Sequence, residues 1–112
     1  MDDPVIDHAT FEALKDMAGP EFAAELVATF FEEAPQMIAD LRSAAGTHEA
    51  DRFRRAAHSL KSNCMTFGAL RLAATAKGME LGGIGASTDA DLAAFDAEYA
   101  RVVPALKEIV GG

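Results

Sequence analysis

The chain has 112 residues, half of them hydrophobic and a quarter charged, with a formal net charge of −8 and a pI near 4.7. That size suits one domain over residues 1–112 with a sizeable core, and the hydrophobic content excludes wholesale disorder. The acidic balance argues against binding to duplex nucleic acid or to an anionic membrane surface, since both need a surplus of Lys and Arg. Met1-Asp2-Asp3-Pro4 carries acids where a secretory leader would carry bases. No apolar run approaches the ~20 residues that span a bilayer. Cys64 is the only cysteine, so no intrachain disulfide and no multi-cysteine metal site can form. A soluble, cytoplasmic chain is the expectation.

The charges are unevenly spread. Between Arg52 and Met79 lie six bases (Arg52, Arg54, Arg55, Lys61, Arg71, Lys77) and no acid, so this stretch carries +6 and the remainder −14.

Helical periodicity runs through the chain, and no segment sustains a period of two. A first helix is predicted from about Asp7, a good N-cap, to Ala18, with Phe11, Leu14 and Ala18 on one stripe. Gly19-Pro20 ends it and opens a second, long helix to about Ala45. Its expected apolar ridge is Phe22, Leu26, Phe30, Met37, Leu41 and Ala45, with a kink at Pro35. Val27 and Phe31 widen that face, as expected of a helix with two neighbours or with a partner.

A third helix is predicted from about His48 to Phe67, where Phe53, Ala57, Leu60, Cys64 and Phe67 step by four and three residues. Gly68 breaks it, and a fourth follows from about Ala69 to Leu81, with Leu72, Ala73, Ala76 and Met79 inward. Gly82-Gly83-Ile84-Gly85 follows a helix and precedes no Lys-Ser/Thr, so it reads as a turn rather than a phosphate cradle. Thr88 and Asp91 resemble a capping box, opening a last helix that carries Leu92, Phe95, Tyr99, Val102, Leu106 and Ile109, with a bend at Pro104. The expected fold is all-α: an antiparallel four-helix bundle with a short additional N-terminal helix.

On a helical wheel with His58 at zero, the core residues Phe53, Ala57, Leu60 and Cys64 fall between about −100° and −160°. His58 therefore faces solvent. Arg54, Arg55, Lys61, Ser62 and Met65 lie within about 60° of it, so its expected close neighbours are cations. A zinc site would want a second His or a carboxylate three or four positions away, and a general base would want an orienting carboxylate. Neither is found three or four positions from His58, and Asp51, near +20° on the wheel, is two turns away. Cations nearby favour the neutral imidazole, with a free ring nitrogen, and suit one that becomes negatively charged on accepting a phosphoryl group. An isolated surface histidine is most often only that, and on the wheel alone both readings stay open. His8 and His48 read as plain surface residues, Cys64 as a buried thiol, Phe30-Phe31 as core, and Tyr99 as core with its hydroxyl at the rim. Met65 reads as an exposed contact for a partner or as partial packing.

Ala57-His58-Ser59-Leu60-Lys61-Ser62, followed by Gly68-Ala69 and Leu72, resembles the signature of histidine-containing phosphotransfer (HPt) domains. That pattern is A-H-x-L-K-G, with a glycine ten residues after the histidine and then G-A-x-x-L. The resemblance extends over nearly the whole chain, through Ile6-Asp7 to Leu14, Phe22 to Leu41 with Phe30 and Pro35, and Met79-Glu80. It implies that His58 accepts and donates a phosphoryl group between aspartates of receiver domains, in hybrid histidine kinases and response regulators. Lys61 would then stabilise the phosphoryl charge, while Leu60 and Gly68 are structural parts of the motif. Ser62 stands where the family has glycine, and its small hydroxyl could contact the phosphoryl group.

The same resemblance implies no cofactor or metal bound by this chain, with Mg²⁺ on the partner receiver, no ATP site, no self-phosphorylation, and a monomer. Receiver phosphorylation pockets are lined with carboxylates, which makes Arg54 and Arg55 expected docking residues. In the family, receivers also pack on apolar residues around the histidine contributed by the first helices, which implies Met65 here with contributions from the first two helices. The alternative is a helical module that docks a receiver or kinase domain without transferring. A dimerising phosphoacceptor segment of a histidine kinase is a poorer match, because His58 is followed by Ser59 rather than an acid and no Thr-Pro lies nearby.

Overall fold

Asp7 begins the first helix as a side-chain cap: its carboxylate accepts from the backbone N–H of Thr10 at 3.2 Å and from the Thr10 hydroxyl. A computed structural model describes residues 5–111, so the reading of Met1–Pro4 lies outside the described residues. Five helices follow one another: α1 His8–Ala18, α2 Pro20–Gly46, α3 Ala50–Thr66, α4 Leu70–Gly82 and α5 Thr88–Gly111. No strand occurs among the described residues. α2 packs on α3, α3 on α4, α4 on α5 and α5 back on α2, while α1 leans on α2 and α3. α2 and α5 run on through Pro35 and Pro104.

The apolar stripe of α3 is realised in full. Phe53, Ala57, Leu60 and Cys64 have no exposed surface, and they meet Leu72, Ala76 and Met79 of α4 and Phe95, Val102 and Leu106 of α5 in one core. The small side chains of Ala73 and Ala76 let α4 lie close against its neighbours. Removing Leu60 would leave a cavity at the centre of this packing, at a cost of about 3 kcal/mol.

Three expectations are corrected. Phe22 is half exposed, because the start of α2 buries Ala23 and Val27 instead and turns the larger ring outward. α3 starts at Ala50 rather than His48. His48 takes a left-handed φ of 57°, and the His48 and Glu49 amides donate to Ala45 and Ala44 carbonyls, closing the end of α2. At the last turn, Thr88 is not the expected capping residue. The Asp91 amide bonds the Ser87 carbonyl, while the buried Thr88 hydroxyl accepts from the Gly85 N–H at 2.7 Å and so holds the glycine turn together.

Gly68 joins α1 to the α3–α4 turn. The Asp7 amide donates to the Gly68 carbonyl at 2.7 Å, and a Cβ on Gly68 would lie 2.6 Å from the Asp7 carbonyl oxygen. Its φ of +80° independently favours glycine. Leu60 and Gly68, the two motif positions assigned to structure, thus have physical reasons to be what they are.

Candidate functional site

The stripe that buries α3 fixes what its other side can present. With Ala57 and Leu60 inward, His58 projects outward with 57 % of its side chain exposed. Its Nδ1 lies 2.7 Å from Oε2 of Glu80 on α4. The other carboxylate oxygen, Oε1, lies 2.8 Å from the ammonium of Lys61, one turn along α3. Glu80 reaches both because its neighbour Met79 is fully buried, which turns the next residue toward the rim facing α3.

One carboxylate thus bridges two side chains of the same helix. The Lys61 ammonium, and then the hydrogen bond with His58, hold the Glu80 carboxyl below the usual range, against a smaller opposing effect of burial. Glu80 is therefore an acceptor at neutral pH. In the neutral imidazole the shared proton sits on Nδ1, leaving the Nε2 lone pair unprotonated on the exposed ring.

This overturns the expectation that only cations surround His58. The orienting carboxylate comes from another helix, 22 residues away, where a wheel drawn on α3 could not register it. Glu80 is the residue of this cluster that a single-helix reading misses. The available signal was its position as the first acid after the acid-free stretch from Arg52 to Met79.

The remaining residues divide. Ser62 and Met65 are exposed on the same face as His58 and Lys61. The Ser62 carbonyl accepts from the Thr66 hydroxyl. Arg54 pairs with Asp51 on its own helix, which offsets its charge. Arg55 is exposed on the flank toward α2, in a shallow groove with Met37, Asp40, Arg52, Ala56 and Ser59. Arg52 is tied there to Glu49 and Asp40. His8 and His48 are exposed and stand apart from this site.

Among the described residues no group of three or more His, Cys, Asp or Glu could hold a metal ion, and no helix is long and apolar enough to cross a membrane. Cys64 is buried, and burial pushes its thiol up to about 12, so it stays protonated and inert. Tyr99 is half buried edge-on to Phe30, which raises its hydroxyl above the ordinary range.

What remains is an anchored, exposed imidazole with an ammonium one turn away. No curated protein and no solved structure matches the chain. A model of the Hpt domain family matches residues 25–105, a span that contains His58, Lys61, Gly68 and Glu80. The chain belongs to the Hpt domain family.

Proposed function

We propose that the protein relays phosphoryl groups between aspartates of receiver domains through Nε2 of His58. Hpt domains are phosphocarrier modules of two-component phosphorelays rather than kinases. The observation that carries the assignment to His58 is its pairing with Glu80, which leaves Nε2 as the free ring nitrogen.

In the forward step, the Nε2 lone pair attacks the phosphorus of an aspartyl phosphate on the receiver. The N–P bond forms as the P–O bond breaks, and the aspartate carboxylate leaves with its electron pair. The ring gains positive charge, and the Nδ1–H stays hydrogen-bonded to Glu80, whose carboxylate offsets that charge. Lys61, paired with Glu80 at 2.8 Å, exchanges part of that contact for the incoming phosphoryl oxygens. The reverse step delivers the group to a second receiver. Such transfer is mostly positioning and charge neutralisation. The Mg²⁺ involved belongs to the receiver.

The partners are receiver domains of hybrid kinases and response regulators. Arg55 and Met65 are exposed for docking, Arg54 contributes less because Asp51 offsets it, and Ser62 leaves the approach to the ring open. The short turns between successively packed helices support an antiparallel bundle.

The test is His58→Gln incubated with phosphorylated receivers. The wild type should acquire acid-labile, base-stable phosphate and the variant none, with circular dichroism unchanged. Equal labelling of both proteins would overturn the assignment.

A further inference from the structure

Of the four bases on α3, three are engaged: Arg52 with Glu49 and Asp40, Arg54 with Asp51, and Lys61 with Glu80. The exposed side chain of Arg55 makes no ion pair or hydrogen bond among the described residues. The same holds for the exposed hydroxyl of Ser62. Its neighbours behave otherwise, since Asn63 and Thr66 donate back to the carbonyls of Ser59 and Ser62. Two donors beside His58 are thus uncommitted.

Helix geometry places both on one side of the ring. Arg55 and Ser62 lie about 60° and 40° from His58 toward α2, while Lys61 lies about 60° the other way, toward α4. Along the axis they bracket it, Arg55 about 4.5 Å before and Ser62 about 6 Å after. The Cα–Cβ bond of Ser62 tilts back toward the turn that carries His58, and Cβ atoms at this spacing are about 5–6 Å apart. The bond to Glu80 turns Nδ1 toward α4. Nε2, on the opposite edge of the ring, therefore faces outward on the side of Arg55 and Ser62.

We propose, building on the phosphotransfer reading, that Arg55 and Ser62 form a cradle for the phosphoryl group carried on Nε2. The guanidinium offers parallel N–H donors to two phosphoryl oxygens, and the hydroxyl donates to the third. Lys61 approaches the same group from the α4 side. Where the family pattern has glycine, Ser62 adds a donor. Arg55 touches the group in transit, a role separate from meeting the partner's surface. Both donors gain their acceptor only when the phosphoryl group arrives, so the cradle stabilises the phosphorylated form over the free one.

The test is the double variant Arg55→Ala, Ser62→Ala, which keeps good helix formers at two exposed positions. The protein and a phosphorylated receiver are brought to equilibrium, and the phosphoryl group is apportioned between histidine and aspartate. That ratio responds to contacts with the phosphoryl group, whereas docking changes only the rates. It should shift about tenfold toward the receiver's aspartate. In protein labelled by phosphoramidate, the ³¹P resonance of phosphohistidine should titrate at higher pH than in the wild type, because a neighbouring cation is gone. Slower transfer with an unchanged ratio would make Arg55 a docking residue alone and overturn the proposal. A ratio that moves in Lys61→Ala but not in the double variant would place the phosphoryl group on the α4 side and overturn it as well. Failure of both the receiver and phosphoramidate to label wild-type His58 would instead remove the phosphotransfer reading on which the proposal rests.

Discussion

Glu80 and Glu98 are the same residue type, each lodged between two basic side chains and each tying α4 to a neighbouring helix, yet they serve different ends. Glu98 of α5 is one-tenth exposed and is held by the guanidinium of Arg71 at 3.1 Å and that of Arg101 at 3.4 Å. Neither guanidinium can give up its proton, so this cluster offers no free lone pair on nitrogen and acts as a tie. Glu80 has instead one ammonium and one imidazole, and the imidazole is open to solvent. Replacing a guanidinium by an imidazole and moving the cluster to the surface leaves a ring nitrogen open to solvent, where the Glu98 cluster offers none.

That contrast can be broken from either side. Glu80→Gln puts an amide beside Nδ1 that can donate as well as accept, so the ring loses its preferred tautomer. Transfer should slow about 10- to 100-fold, and the imidazole ¹⁵N shifts should show protonation redistributed between the two nitrogens, a change that a purely structural role would not produce. Unmoved shifts and an unmoved rate would make Glu80 a second Glu98. Lys61→Ala should slow transfer about tenfold by withdrawing a charge-assisted contact, with the ¹⁵N signature retained. Glu98→Gln should leave transfer untouched and lower stability by about 2 kcal/mol in urea titration, because two guanidiniums lose their shared charge.

The smallest effect concerns pH. The Glu80 carboxyl sits below its ordinary range in the folded protein, so the stability it contributes is complete above the unfolded value of about 4.3 and fades as pH falls through the lower folded value. The difference in stability between the wild type and Glu80→Gln should shrink as the pH falls below about 4. A difference that grows on acidification below that pH would contradict the sign.

Much of this was legible in the amino-acid order. Steps of three and four along α3 placed Phe53, Ala57, Leu60 and Cys64 inward and His58 outward, and the structure agrees at every one of those positions. Pattern within one helix is a local property, and local periodicity is enough for it. Glu80 was not legible as a partner of His58, because the contact depends on how α4 is rotated against α3, and that is set by the burial of Met79 and Ala76 rather than by anything in α3. Phe22 failed for a related reason. An aromatic at a ridge position is expected inside, yet the entry to α2 has Ala23 available for close packing, and the ring is left out. Thr88 carries the same lesson at smaller scale: a hydroxyl able to cap a helix found a nearer donor in Gly85.

The clamp between Asp7 and Gly68 gives the molecule a built-in reporter. The Asp7 amide proton precedes α1 and is satisfied only across the chain, by a carbonyl that directly follows α3. Hydrogen exchange at this single amide therefore times the lifting of α1 from the end of the helix that bears His58, separately from global unfolding. A receiver that stiffens α3 on binding would slow that exchange from a distance. One backbone proton would then record occupancy of the histidine face without any label placed on it.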